Sequence, residues 1–393
     1  MEMKTTNNFK DLFYINPSIT FLNFGSFGAC PKPIFENYQQ WQLELEKEPI
    51  QFITNTGLHL LQQSRQALAQ YIGCLEDDLV YVTNPSFAVN TIAKSLKLNA
   101  GDEVLASNIE YGACDKAWQY YCDKSEAKYI RQPITLPIKN KEVFIEEFFK
   151  GVNSRTKLIF ISHITSSTAL ILPVKDICDR AKTLGIMTFV DGAHAPGHID
   201  LNLKQLDADF YTGACHKWMM SPKGCSFMYV KPELQNKIDP LVISWGYKSA
   251  FPSDSQFIDY HQMQGTRDFS AFLTVPKAID FMNDQDWKKI SSNCKQLVRD
   301  NVSRFCELLN TEPLCPVNEE FLGQMLSLQI RTKEPEKLQK HLFSNYKIEI
   351  PLMRLDDKVF IRYSINAFNS QDDLDQLYDA ILEIRKKTNF IES

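Results

Sequence analysis

The sequence predicts an α/β fold: a large domain whose mainly parallel sheet is covered by helices, then a smaller α+β domain at the C-terminus. Three observations carry this expectation. Between about residues 57 and 230, short apolar, β-branched runs alternate with segments of helical period. The chain has 393 residues, more than one ordinary core accommodates, so two domains are expected. Beyond about residue 276 the pattern changes to a long helical stretch followed by strand, helix, strand and helix.

Taken in order, strands are expected at 79–83, 103–107, 157–162, 186–190, 209–212 and 225–230, each a short apolar run. Helices at 58–71, 88–97, 112–124, 144–150 and 174–184 fill the gaps, with Pro173 and Gly185 punctuating the last of them. The later region reads as a helical stretch from 276 through Leu309, strands at 324–330 and 359–364, and helices at 335–346 and 372–386. The expected division is an N-terminal arm at 1–20, a large domain at 21–275 and a small domain at 276–393.

Composition narrows the function. With 43 basic and 48 acidic residues, a net charge of −5 and no Lys/Arg run, the chain lacks the electrostatic footprint of a nucleic-acid or membrane-surface protein, so a small-molecule substrate is expected. The opening residues are polar, and no apolar run approaches the roughly 20 residues of a membrane span, so the expected location is the cytoplasm. Ten cysteines without a Cys-x-x-Cys pair read as reduced thiols rather than a disulfide framework.

Chemistry concentrates where strands end. Asp191-Gly192-Ala193-His194 directly follows the 186–190 strand, and Lys217, in Ala214-Cys215-His216-Lys217-Trp218, comes 26 positions after Asp191. Ligands of open α/β sheets bind at such edges. A lysine amine that condenses with an aldehyde, and a carboxylate that keeps a pyridine nitrogen protonated, are what pyridoxal phosphate requires, so the pair points to that cofactor. Burial would lower the Lys217 pKa toward the neutral amine that must attack. Singly, each residue has a plainer reading: most lysines are solvated charges, and an Asp after a strand commonly caps a helix. Pro196-Gly197 disfavours a helix starting at once, and a carboxylate ending an apolar strand calls for a cation.

His194 and His198 have the four-residue spacing of zinc ligands on a helix, yet Pro196 and Gly197 lie between them and no third ligand is near in sequence, so no metal is expected. His194 is better used as a hydrogen-bond partner of the cofactor's ring oxygen, leaving His198 structural. For the phosphate, Thr83-Asn84-Pro85-Ser86-Phe87-Ala88 joins a strand to a helix and offers Ser86 and the Phe87 amide, although an ordinary capped helix start has the same pattern.

Further segments complete an ordered set: Leu22-Asn23-Phe24-Gly25-Ser26-Phe27-Gly28, Glu110-Tyr111-Gly112-Ala113-Cys114-Asp115, Gln264-Gly265-Thr266-Arg267-Asp268, Ile348-Glu349-Ile350-Pro351, and Ile361-Arg362-Tyr363-Ser364 with Phe368-Asn369. With the Asp191 and Lys217 boxes they resemble the class V aminotransferase family, pyridoxal phosphate enzymes of fold type I, and within it the isopenicillin N epimerase-like branch. The resemblance spans nearly the whole chain. It implies that Lys217 carries the cofactor, Asp191 pairs with the pyridinium, His194 contacts the ring oxygen and Tyr111 stacks on the ring. Ser86, Phe87 and His216 would hold the phosphate, with Ser166 and Thr212 as further cofactor contacts. Thr266 resembles the residue that reaches the phosphate from a neighbouring subunit, which implies a homodimer. Arg362 would grip the substrate carboxylate through a bidentate fork, with Asn23 and Ser26 beside the substrate. The plainer alternatives are a core aromatic for Tyr111, a turn residue for Thr266 and a solvated strand position for Arg362.

The chain also departs from that family. Ala214 stands three before the lysine, where relatives usually place Ser or Asn, so the phosphate grip would weaken or pass to Thr212. Phe24 replaces a His and Phe368 a Tyr, turning two polar groups near the expected substrate mouth apolar.

The expected reaction breaks a bond at Cα or Cβ of an α-amino acid or a metabolite derived from one, with Lys217 as the general base for the Cα proton. Cysteine desulfurases of this class use a mobile cysteine shortly before the strand of the substrate arginine; here the nearest preceding one, Cys315, lies 47 residues before Arg362. Epimerisation or β-elimination is therefore favoured over persulfide formation, and transamination stays open. A cofactor-free protein that kept the fold is the alternative from another class, encouraged only by Ala214, Phe24 and Phe368.

Overall fold

The computed structural model describes residues 9–392; the opening eight residues of the expected N-terminal arm lie outside the described residues. Among the described residues twelve strands form: β1 (Thr20–Phe21), β2 (Leu79–Val82), β3 (Glu103–Ser107), β4 (Lys128–Gln132), β5 (Thr156–Ser162), β6 (Met187–Gly192), β7 (Phe210–Ala214), β8 (Ser226–Val230), β9 (Met325–Gln329), β10 (Ile348–Glu349), β11 (Leu352–Leu355) and β12 (Lys358–Ser364). Seven of them make the central sheet, in the order β2-β8-β7-β6-β5-β3-β4. All neighbours from β7 to β4 pair in parallel; only β8 runs against its two neighbours. The expected mainly parallel sheet is what forms, and apart from β4 its strands are buried on both faces, which is why they read as continuous apolar runs.

Alternation along each strand feeds two cores. Val80, Val104, Leu158, Phe160, Phe189 and Phe210 pack on one face beneath helices Pro85–Ser95 and Gly112–Lys124. Leu105, Ile159, Ile161, Val190 and Tyr211 face the other way, into a core that continues without a break through Leu326, Leu328, Phe360 and Ile381 of the C-terminal region. One apolar body thus fixes the C-terminal region against the sheet.

β4 was not expected. Its Lys128, Arg131 and Gln132 break the apolar pattern because it is the edge strand, where charge discourages further pairing. The long helix expected up to Leu309 is three: Val275–Asp284, Trp287–Asp300 and Val302–Leu309. Asp286 between the first two has φ 50°, a left-handed conformation that Asp tolerates and a helix interior does not.

The C-terminal region holds the antiparallel sheet β11-β12-β9. Its link to the start of the chain positions the site. β1 pairs in parallel with β10, and Asn23 bridges to Ser364 at the end of β12, so the short helix Phe24–Phe27 lies beside the strand carrying Arg362. The approach demands glycine: a Cβ on Gly25 would come within 2.5 Å of the Met325 sulfur, and one on Gly28, at φ +65°, within 2.3 Å of the His216 carbonyl.

Candidate active site

Ser162 of β5, Asp191 of β6 and Thr212 of β7 stand side by side in register, so the segments that follow these strands leave one edge of the sheet. Asp191 is only 3% exposed there. Its Oδ1 accepts a 2.9 Å hydrogen bond from the Ala193 amide, and its Oδ2 faces the Cys114 thiol at 3.5 Å. Burial pushes the carboxyl above its ordinary range, while the Ala193 amide, Lys217 and the thiol oppose the rise. The turn after Asp191 does not start a helix, so the residue is no N-cap.

Lys217 lies in the turn between β7 and β8, its Nζ 3.1 Å from Nε2 of His194. Burial, helped by the positive charge of Arg362 and opposed by Asp191, pushes the amine down to about 8. About a tenth is then the neutral nucleophile near pH 7, several hundred times more than for an ordinary lysine. His194 accepts a 3.3 Å hydrogen bond at Nδ1 from the Trp218 indole. His198 gives its Nδ1 proton to the His194 carbonyl and accepts from the Gln324 amide at Nε2, so both nitrogens are committed to structure and neither is left for a metal.

Arg362, 1% exposed, is buried rather than solvated on its strand. It donates from Nη1 to the Ser166 carbonyl at 2.6 Å and from Nη2 to the Ser26 hydroxyl at 2.9 Å; Ser26 in turn donates to Asn23 at 2.5 Å. Its Nε has no partner, and no carboxylate pairs with it among the described residues. A buried guanidinium with a spare donor calls for an anion from outside, which a substrate carboxylate supplies. Ser166, expected among the cofactor contacts, meets this guanidinium through its carbonyl and its hydroxyl.

Other expected residues fall less simply. His216 donates from Nδ1 to the Cys225 carbonyl at 2.9 Å, which leaves Nε2 for a ligand, and burial pushes the ring down to about 4. Tyr111 precedes helix Gly112–Lys124 and is 45% exposed, so its ring is open rather than part of the core. Asn84 caps helix Pro85–Ser95 by accepting from the Phe87 amide at 2.9 Å, so the amide expected to meet the phosphate is already a capping donor, next to Ser86. Thr212, the residue expected to compensate for Ala214, is fully buried and donates its hydroxyl proton to the Phe227 carbonyl at 2.7 Å. Nor do Phe24 and Phe368 line a mouth. Both are buried in an aromatic cluster, where Phe24 meets Trp218 at 5.1 Å and Phe13 meets Phe368 at 4.9 Å. Thr266 is exposed on the rim of a separate groove of about 1150 Å³, lined also by Arg65, Gln262, Trp245 and Phe251.

Sequence reasoning missed three contributors. Cys114 reaches Asp191, Trp218 reaches His194, and Glu110 lies buried beside both Ser107 and Ser162, accepting from the Ser162 amide at 2.8 Å. Burial, with Asp191 and Asp115 near, pushes the Glu110 carboxyl up to about 8 although the two serines oppose it. The only advance signal was adjacency: each flanks or shares a helix turn with a named residue.

The donor set fits pyridoxal phosphate: a buried lysine shifted toward its neutral form, a buried carboxylate with one oxygen held only by a thiol, and a histidine nitrogen left for the phosphate. Comparison with known proteins agrees. The Aminotransferase class-V profile matches residues 35–377. The isopenicillin N epimerase of Streptomyces clavuligerus is 32% identical, covering 93% of this chain and 95% of its own. The L-cysteine desulfhydrase of Arabidopsis thaliana is 26% identical, covering 93% and 87%. The apo cysteine desulfurase of Thermococcus onnurineus NA1 superposes with a TM-score of 0.83 at 18% identity, covering 98% of this chain and 99% of that one. The chain belongs to the class-V aminotransferase family and is a fold type I, pyridoxal 5'-phosphate-dependent enzyme.

Proposed function

We propose that this enzyme acts at Cα or Cβ of an α-amino acid, or of a metabolite retaining the amino-acid end, by epimerisation or by β-elimination of a sulfur-containing group. The cofactor supplies the electron sink for charge left at Cα. The observation that carries the reading is the buried, carboxylate-free Arg362, close enough to Lys217 for the two positive charges to oppose each other. Arg362 would hold the α-carboxylate with Ser26 and Asn23 behind it, and Lys217, once released, would take or return the Cα proton. Asp191 would keep the ring nitrogen protonated, His194 would donate to the ring oxygen, and Tyr111 would cover the ring. Ser86 and His216 would hold the phosphate.

A nucleophilic cysteine is not part of this reading. Cys315 is buried, and burial pushes its thiol up to about 12, which leaves no thiolate to accept sulfur at neutral pH. The related epimerase and desulfhydrase support the two favoured outcomes. Screening amino acids and their sulfur conjugates for changes in cofactor absorbance, with products analysed by mass and chirality, tests the proposal. Only keto-acid products with amine transfer would replace it with transamination.

The working unit in this reading is a homodimer, with Thr266 reaching the partner's phosphate. Its support is the exposed apolar stretch beside Thr266, where Trp245 is 86% and Phe251 93% exposed. Sedimentation that finds a monomer at working concentration would refute it. Ten free cysteines suit a reducing cytoplasm. Among the described residues no helix is long and apolar enough to cross a membrane.

A further inference from the structure

We propose that Trp218 is a positioning residue that fixes His194 in the tautomer with its proton on Nε2, and so favours the neutral, accepting form of the Lys217 amine. The inference rests on Lys217 as the attachment amine. An indole N–H can only donate. At 3.3 Å from Trp218 Nε1, the His194 Nδ1 must therefore be the bare nitrogen, and the single proton of the neutral ring sits on Nε2. That nitrogen is 3.1 Å from Lys217 Nζ. An ammonium has three donors and no acceptor, so it would meet Nε2–H donor to donor; the neutral amine accepts from it instead.

Trp218 is itself held. It is buried, its ring lies 5.1 Å from Phe24 and 4.1 Å from His198, and His198 is tied by its Nδ1 proton to the His194 carbonyl. The residue after the lysine thus reads back, through one imidazole, onto the lysine. The charged and titratable groups facing His194 are Lys217, Arg362, His198 and His216, all of which disfavour a positive imidazole. Asp191 is the carboxylate that opposes them at Lys217. The same Nε2–H would be a fixed donor for an anionic oxygen of a bound cofactor.

The test begins with NMR of isotope-labelled histidines in the full chain, with and without pyridoxal phosphate, His194 being assigned through His194→Gln. The expected result at neutral pH is a bare Nδ1 and a protonated Nε2. An Nδ1–H tautomer or an imidazolium at His194 overturns the proposal, whatever the variants do. The second measurement is the pH profile of borohydride-trapped pyridoxal phosphate at Lys217, read by peptide mass. Trp218→Phe keeps the ring and loses the N–H, and should move the midpoint upward by about one pH unit. In a His194→Gln background the same substitution should move nothing. An equal shift in both backgrounds, or none in either, overturns the proposal. Absence of trapping at Lys217 in the unaltered protein would instead refute the attachment reading, and leaves the tautomer measurement standing.

Discussion

The hydroxyl of Ser26 accepts a 2.9 Å hydrogen bond from Nη2 of Arg362, across 336 positions of sequence. Through Asn23 the contact continues to Glu349, at 3.4 Å, so three distant segments share the burial of one guanidinium. The remaining donor, Nε, is unpaired.

Arg362→Ala should therefore weaken amino-acid binding far more than cofactor binding. Loss of a charge-assisted pair is worth roughly 1.5–3 kcal/mol, about 10- to 150-fold in the concentration that half-saturates the spectral change. Equal loss of both affinities in parallel titrations would count against the assignment.

Lys217→Ala is expected to abolish borohydride-trappable cofactor while circular dichroism shows the fold retained. Trapping that survives at another lysine would refute the attachment point.

The depressed Lys217 pKa has a stability consequence of definite sign. The amine titrates at about 8 folded and near its ordinary 10.5 unfolded, so between these values the unfolded chain binds more protons. The cost of folding around this lysine is full below about pH 8 and fades as pH rises toward 10.5. In the ligand-free protein, Lys217→Met should be more stable than the parent at pH 7, with an advantage that shrinks by pH 10 in denaturant titrations. An advantage that grows with pH would sink the assignment.

Glu110 behaves oppositely. Its folded pKa of about 8 exceeds the ordinary 4.5, so the parent loses stability as pH rises through that window. Glu110→Gln should gain on the parent from about pH 5 to pH 8 and level off above it. A stability difference independent of pH would mean that the carboxyl stays ionised throughout.

Gly28→Ala should destabilise by about 1–3 kcal/mol, from the left-handed φ and the His216 carbonyl in its path. Because that carbonyl belongs to the residue before Lys217, cofactor trapping should fall as well. Thermal unfolding and trapping yield measured together check this; unchanged trapping would separate the glycine from the lysine turn.

Much of this was legible beforehand. The eight expected strands all form, and the strand of Asp191 neighbours the one that Lys217 follows in one sheet, because apolar runs and their punctuation are local signals. β4 escaped because an edge strand carries Lys128 and Arg131 for solubility, so its composition resembles a loop. The contact of the Ser166 carbonyl with Arg362, 196 positions away, was not legible, because no local pattern links the two.

By itself the sequence determined the class of sheet, and it singled out the strand ends, the lysine and the carboxylate proposed to hold the cofactor, since each is written in neighbouring residues. Only the tertiary structure decided which groups face the cleft. Thr212 and Phe24 turn into the packed interior, while Arg362 is stripped of water and left without a carboxylate. The physical reason is that burial and hydrogen-bond partners are set by elements hundreds of residues apart, which no local pattern encodes.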